Sequence, residues 1–171
     1  DPYYTGRALA GLQREDGGAY LRDVIKAFSH LGSPPEAVSP LRLATINKQP
    51  GPDSYRQGIS WRGLKYSRIG GTGSSLVAGM HAALVARKPV VIGIEVDSDF
   101  LDDDGKDLIG PQNRSDIVGG HAMLVSGFEA GGDRSRLVNS WGIDWRDYGR
   151  AWASRSFLAQ AREAWAIEGG S

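Results

Sequence analysis

The sequence predicts an α+β fold in which a helical first part is followed by an antiparallel sheet. Apolar residues recur at helical spacing over residues 18–31 and 74–88, whereas residues 90–96 form a β-branched run that is typical of a buried strand. Further strand candidates follow, separated by turn residues. Because the helices come before the strands, we expect a helical lobe over 1–88 and a β lobe over 89–171.

The helical half contains three predicted helices and one long connecting segment. Residues 3–13 form a short candidate, and residues 18–31 form a stronger one that stops at Gly32, a residue type favoured just past helix ends. Residues 47–73 are rich in Gly, Pro, Ser and Asn and predict a long connection, a kind of segment that is often functional. A third helix, capped by the serines that begin it, is predicted over 74–88.

The second half is predicted to consist mainly of strands. After the strand at 90–96, turn residues divide the chain into four further strand candidates. These candidates cover residues 120–128, 135–140, 149–154 and 163–168. Strands that follow one another with short turns between them favour antiparallel pairing.

The composition is that of an ordinary globular protein with no net charge. The 171 residues include twenty basic and twenty acidic side chains, so nothing predicts nucleic acid or an anionic membrane as a partner. No apolar run approaches the roughly 18 residues of a membrane-spanning helix, and no signal peptide is recognisable. The absence of cysteine removes disulfides, a thiol nucleophile and a thiolate metal site from these residues. We expect a cytoplasmic or virion-associated protein rather than a secreted one, and a chain that, opening with Asp1, begins inside a longer gene product.

Two motifs carry residues suited to acid–base chemistry. The first is a Gly-Gly-His-Ala stretch with His121 at the start of a predicted strand, and the second is an Asn-Ser-Trp-Gly stretch with Asn139 at the end of the next strand. Neighbouring antiparallel strands could bring the two side chains together, so that the amide oxygen of Asn139 accepts from one ring nitrogen of His121 and leaves the other nitrogen free for a nucleophile. Trp141 could cover that hydrogen bond and keep water from competing for it.

These two motifs resemble the His and Asn motifs of the papain-like (C1 family) cysteine peptidases. Other stretches agree with the resemblance over nearly all of the chain, least over 40–70. Residues 88–93 look like the family's entry into its β lobe, and residues 18–23 and 164–167 look like segments of its bacterial and phage members. The resemblance implies an α+β fold in which a helical lobe, incomplete here, packs on an antiparallel, barrel-like β lobe.

The resemblance also implies a reaction, the hydrolysis of peptide bonds. In the family a cysteine thiolate attacks the scissile carbonyl, the motif histidine protonates the leaving amine, and a Gln side chain and the cysteine's own N–H bind the oxyanion. That Gln and Cys precede the region that residues 1–12 resemble, so the nucleophile is missing from this sequence. Two interpretations stay open: the Cys lies on residues outside this chain, or the protein is a catalytically inactive papain-fold component for binding or assembly, for example in a phage particle.

Further site residues follow from the same resemblance. Gly120, Trp141 and Trp145 occupy positions that support the active site. Gly18 matches a glycine whose backbone pairs with an extended peptide substrate. Small residues occupy the positions that line the main specificity pocket and would leave it roomy. They are Gly93, Gly119 and Ala122.

The expected partners are a peptide or protein substrate and a further segment of protein. The helix that carries the nucleophile is central in this family, so its absence would leave an apolar face open. We therefore expect a partner segment or chain to cover that face. The resemblance implies no cofactor.

Other features of the sequence have simpler structural interpretations. His30 and His81 have no partner motif and are interpreted as structural. The acidic run 97–107 does not fit the calcium-loop template, because an aromatic residue and a proline fall at ligand positions, and it is interpreted as a solvated loop. Residues 70–75 lack the lysine of a phosphate-binding loop and are interpreted as a hinge before a helix. No metal site is predicted.

Overall fold

The computed structural model describes residues 1–101 and 108–169, and the chain divides into two compact units. Among the described residues, the first unit comprises Asp1–Tyr66 together with Glu168 and Gly169, and the second comprises Ser67–Ile167. The division lies at residue 66, whereas the order of helices and strands placed it near residue 88. Within the described residues no helix is both long and apolar enough to cross a membrane.

The first unit contains three short helices, α1 (Pro2–Leu9), α2 (Leu21–Leu31) and α3 (Pro52–Gly58). Asp1 begins α1 because its carboxylate accepts hydrogen bonds from two backbone amides of the first turn. Gly32 ends α2 with a φ of 69°, a conformation that favours glycine. Two single-turn 3₁₀ helices lie at Leu43–Thr45 and Ile59–Trp61.

Arg7 on α1 is fully buried in the first unit although it carries a charge. Its guanidinium donates to the carbonyl of Glu15 at 2.6 Å, to the side-chain oxygen of Asn47 at 2.7 Å and to the carbonyl of Ile46. The carboxylate of Asp16 lies 4.0 Å away. A buried charge is tolerated only with such partners, so Arg7 fixes the segment around residues 46–47 against α1.

A seven-stranded sheet and three helices make up most of the second unit, and only the first two residues of β1 and the last residue of β7 are counted with the first unit. The strands are β1 (Lys65–Arg68), β2 (Val90–Asp97), β3 (Leu108–Ile109), β4 (Ile117–Phe128), β5 (Arg134–Val138), β6 (Arg150–Ser154) and β7 (Glu163–Glu168). The helices are α4 (Gly73–Val85), α5 (Ser98–Leu101) and α6 (Arg155–Leu158). The strand order is β1-β7-β2-β4-β5-β6-β3, and the pairs among β2, β4, β5, β6 and β7 are antiparallel, whereas β3 pairs parallel with β6. The predicted α+β class is confirmed.

The core of the second unit explains where the two units divide. Helix α4 places Leu76, Val77 and Met80 in the same buried cluster as alternate residues of β2. Those β2 residues are Val90, Ile92, Ile94 and Val96. Alternation of this kind marks a strand with one face on a core. Because α4 supplies the other side of that core, it belongs with the sheet and not with the helices that precede it.

The segment predicted as a long connection contains regular structure. Within residues 47–73 lie α3, the short helix at Ile59–Trp61 and β1. Helix α3 is only seven residues long, so no apolar period can develop in it. Its one sequence signal is Pro52 at the first helical position, where proline is favoured.

Candidate active site

His121 lies on β4, the long strand beside β2. The antiparallel register pairs His121 with Ile94 and Ala122 with Gly93. Directly paired residues point to the same face of a sheet. His121 therefore shares a face with Ile94, which is buried in the core, and its ring is half-buried.

Asn139 follows directly after β5, which is the next strand in the sheet. The register of β4 and β5 pairs Leu124 with Val138. One more step along that register brings Asn139 to the face on which His121 lies, within diagonal reach of the ring. The backbone N–H of Asn139 donates to the carbonyl of Gly149 at 2.9 Å, which fixes the chain where it leaves the strand.

The side chains of His121 and Asn139 form a hydrogen bond. The distance from Nε2 of His121 to Oδ1 of Asn139 is 2.8 Å, and the backbone N–H of Ser140 donates to the same oxygen at 2.8 Å. An amide oxygen only accepts hydrogen bonds, so the N–H of Ser140 shows which side-chain atom of Asn139 is the oxygen. Because Nε2 of His121 bonds to that same oxygen, Nε2 must carry the proton. The neutral imidazole then has its lone pair on Nδ1, where it can take a proton from another group.

Trp141 packs against the histidine ring. The two ring centroids are 4.8 Å apart, with an angle of 33° between the planes, and Trp141 is 41% exposed. Trp145 meets Trp141 edge-on at 6.0 Å and is buried. The indole of Trp141 therefore lies between His121 and solvent and limits access of water to the hydrogen bond with Asn139.

Phe100 completes the aromatic surroundings of His121, and the sequence did not identify it as a site residue. Its ring centroid lies 5.9 Å from that of His121 and 5.5 Å from that of Trp141. It is 2% exposed and belongs to α5, directly after β2. The one available signal was an aromatic residue inside an acidic run, which is unusual for a solvated loop.

The environment of His121 shifts its acid–base equilibrium. Burial lowers the pKa of His121 below its ordinary value, and the hydrogen bond to Asn139 opposes this by favouring the protonated ring. The geometry supports an imidazole that is neutral at neutral pH and is held ready to accept a proton at Nδ1. Such a group can act as a general base and then as a general acid.

The predicted pocket residues of the second unit lie on two different faces of the sheet. Gly93 and Ala122 are paired directly and share one face. Gly119 pairs with Val96, whose side chain is buried, and therefore shares the face of His121. The structure thus places Gly93 and Ala122 together and separates Gly119 from them.

The two remaining predicted glycines lie in open surroundings. A Cβ on Gly120 would meet no atom within 4 Å, so packing does not require a glycine beside His121. Gly18 lies in the first unit, before α2, with a φ of 89° and similarly open space. Its positive φ explains the glycine without a ligand, and a substrate contact stays a prediction.

The other histidines and the acidic run lie apart from this arrangement. His81 on α4 stacks on Phe128 at 4.1 Å and lies 3.0 Å from the hydroxyl of Ser135, whereas His30 is exposed at the end of α2. Among residues 1–101 and 108–169 no group of three metal-ligating His, Asp or Glu side chains occurs. Residues 102–107 of the acidic run lie outside the described residues.

Comparisons with known proteins agree with this arrangement at the level of the fold. No family model matches the chain. An uncharacterised peptidase C1-like protein of Acanthamoeba polyphaga mimivirus is 28% identical over 153 residues, which cover 84% of this chain and 48% of that protein. The chain thus spans about half the length of the curated relative that it matches.

Solved structures of cysteine proteases superimpose on nearly the whole chain. Xylellain, a cysteine protease from Xylella fastidiosa, gives a TM-score of 0.81 at 24% identity and matches 99% of this chain and 69% of its own. Digestive procathepsin L 3 of Tenebrio molitor gives a TM-score of 0.66 at 20% identity and matches 95% of this chain and 54% of its own. The chain therefore has the fold of papain-like cysteine proteases and resembles the peptidase C1 proteins, without a cysteine of its own.

Proposed function

We propose that this chain supplies the acid–base part of a cysteine peptidase, and that the cysteine nucleophile lies on a segment outside these 171 residues. The observation that carries the proposal is the 2.8 Å hydrogen bond that orients His121 on Asn139 through Nε2, so that Nδ1 is the ring nitrogen left to accept a proton. The likeness in fold to cysteine proteases supports the reaction class. Fold alone is no argument for activity, so the proposal depends on the geometry of this pair.

The first half of the proposed reaction forms an acyl-enzyme. The thiolate sulfur of the partner segment bonds to the carbonyl carbon of a peptide, and the C–N bond then breaks. Nδ1 of His121, protonated beforehand by that thiol, gives its proton to the leaving amine. Asn139 holds the ring through Nε2 during this transfer, so that Nδ1 keeps its direction.

The second half releases the carboxylic acid and restores the thiolate–imidazolium pair. A water molecule attacks the thioester carbonyl while Nδ1 of His121 takes one of its protons. The C–S bond breaks, and the sulfur leaves as the thiolate that the imidazolium stabilises. One histidine thus acts first as an acid and then as a base, which requires a ring that loses and regains one proton at one nitrogen.

The proposed partner segment also has a surface to cover. Several large apolar side chains of the first unit are exposed, with exposed fractions of 39–66%. They are Leu9, Leu12, Tyr20, Leu31, Leu41, Ile59 and Trp61. Exposed apolar side chains of this kind are available for burial by a partner segment. We propose that the Cys-bearing segment covers part of it.

Peptide turnover by the protein produced from its complete gene tests the proposal. We expect hydrolysis of a peptide substrate by the wild type, and a loss on the order of 10³-fold for His121→Ala, since the proton transfers lose their catalyst. His30→Ala is the matched control, because His30 is an exposed histidine at the end of a helix, and it should retain full activity. Equal rates for the two variants would refute the assigned role of His121.

A second candidate function is a catalytically inactive papain-fold component for binding or assembly. The absence of cysteine from the chain and the exposed apolar side chains of the first unit favour it. It predicts a folded wild-type protein that hydrolyses no peptide and contains no reactive thiol, even when it is produced from the complete gene. The same turnover assay therefore separates the two candidates.

A further inference from the structure

Phe100 supports the ring of His121 from within the core of the second unit. It contacts the rings of both His121 and Trp141, and it stacks on Phe157 of α6 with a centroid distance of 6.1 Å and an angle of 8° between the planes. Phe100 and Phe157 are buried. The position of the Phe100 ring therefore limits where the His121 ring can lie.

Asp97 fixes the turn that carries Phe100. The pairing of β2 with β4 shifts register between Val96 and Asp97, so the strand ends at Asp97 and the single turn of α5 begins. The carboxylate of Asp97 accepts from the backbone N–H of Phe100 at 3.1 Å and from that of Asn113 at 2.6 Å. Asp97 is only 4% exposed, so its carboxylate depends on these amides in place of water.

A glutamine pair extends the same network into the core. Gln112 accepts from the backbone N–H of Asp97 at 2.9 Å through its side-chain oxygen. Gln160 accepts from the backbone N–H of Gln112 at 2.6 Å and donates to its carbonyl at 2.9 Å. The backbone of Asp97 and its carboxylate are thus both held, and the direction in which α5 leaves the sheet is fixed.

We propose that Asp97 is a positioning residue for His121, acting through Phe100: its buried carboxylate holds the turn that presses the phenyl ring against the imidazole. The consequence for catalysis rests on the proposed peptidase function. The consequence for the ring of His121 does not, because it follows from contacts within the second unit. Asp97 itself contacts no group that takes part in the proposed reaction.

The test is an NMR titration of His121 in the full chain, with Asp97→Asn compared with Asp99→Asn. Both substitutions remove one negative charge from the same turn, but Asp99 is exposed whereas Asp97 is buried. Loss of a nearby negative charge lowers the pKa of a histidine, whereas loosening of the surrounding rings admits water and raises it, because burial is what lowers the pKa of His121. The two effects have opposite signs and can be separated.

We expect Asp97→Asn to move the pKa of His121 up toward the ordinary value of about 6.5, and Asp99→Asn to leave it unchanged or slightly lower. If Asp97→Asn leaves the pKa of His121 unchanged or lowers it, the carboxylate acts only as a charge and the proposal is overturned. Phe100→Leu should shift the pKa in the same upward direction. If Asp97→Asn fails to fold, Phe100→Leu decides, and an unchanged His121 in that variant also overturns the proposal.

Activity adds a readout that distinguishes this proposal from the peptidase proposal. In protein that hydrolyses peptides, Asp97→Asn should lower kcat on the order of tenfold with KM unchanged, because a displaced base costs rate and not binding. If no variant hydrolyses peptides but the titration behaves as expected, the peptidase proposal fails and the positioning role stands. If peptides are hydrolysed and Asp97→Asn leaves the titration of His121 unaffected, the peptidase proposal stands and the positioning role of Asp97 fails.

Discussion

Replacement of Asn139 by alanine removes the acceptor on which the candidate site depends. Oδ1 of Asn139 accepts from Nε2 of His121 and from the backbone N–H of Ser140, both at 2.8 Å. A net contribution of about 1 kcal/mol for each bond gives a loss of roughly 2 kcal/mol of unfolding free energy. For a chain of this size that corresponds to a fall in Tm of roughly 4–8 °C.

The matched control for that substitution is Asn113→Ala. Oδ1 of Asn113 also accepts two hydrogen bonds, from the N–H of Ser115 at 3.2 Å and from its hydroxyl at 2.7 Å, but Asn113 is exposed. Because water replaces those bonds, we expect a loss below about 0.5 kcal/mol. Thermal unfolding followed by circular dichroism measures both variants.

The pKa of His121 is a second measurement of the role of Asn139, and the sign of its shift is also predicted. Asn139→Ala should lower the pKa of His121, because the hydrogen bond that favours the protonated ring is lost. Asn139→Asp should raise it, because a carboxylate in that place favours the imidazolium still more. Shifts of the same sign in both variants, or an Asn139→Ala protein as stable as Asn113→Ala, would show that the bond does not hold the ring.

Three further predictions concern the stability of the chain. Arg7→Ala should cost about 3 kcal/mol in urea unfolding, because a fully buried side chain and its charge-assisted hydrogen bonds to Glu15 and Asn47 are lost together. A loss below about 1 kcal/mol would contradict the role given to Arg7. Gly32→Ala should destabilise the chain far more than Gly18→Ala, although both residues have positive φ. A Cβ at Gly32 would overlap the carbonyl of Gly58, whereas a Cβ at Gly18 would enter open space. Equal melting temperatures of the two variants would refute this prediction. Stability should fall as the pH drops below about 6.5, because burial lowers the pKa of His81 in the fold and the unfolded chain therefore takes up the proton first. His81→Gln should reduce this dependence of stability on pH. A variant whose unfolding free energy changes with pH as much as that of the wild type would show that His81 is not the cause.

The elements that the sequence predicted well are those with a long pattern. Residues 90–96 and 163–168 form β2 and β7 with ends within one residue of the expected ones, because β-branched or apolar runs bounded by turn residues leave little ambiguity. Helix α4 starts earlier than its serines predicted. Ser75 accepts from the backbone N–H of Thr72 at 3.1 Å, so Thr72 is the capping position and Ser75 its partner.

The parts of the site that sequence could not provide depend on tertiary contacts. His121 and Asn139 were recognisable because each lies in a motif next to a strand end. Phe100 was not, because the turn that carries it is a single helical turn fixed by Asp97 and residues more than ten positions away. The face on which Gly119 lies follows from the register of β4 on β2, and register is decided by pairing partners that a single sequence does not name.

We expect His121 to work with a cysteine that lies outside these residues. The most direct measurement is to treat the native protein, isolated from its source, with a thiol-reactive peptidyl epoxide and to locate the label by mass spectrometry. We expect one labelled cysteine on a segment that co-purifies with this chain. Labelling should fall strongly when His121 is replaced by alanine, since the thiolate then loses its imidazolium partner. Intact native protein without a labelled cysteine would refute the peptidase role and leave the inactive papain-fold component as the supported function.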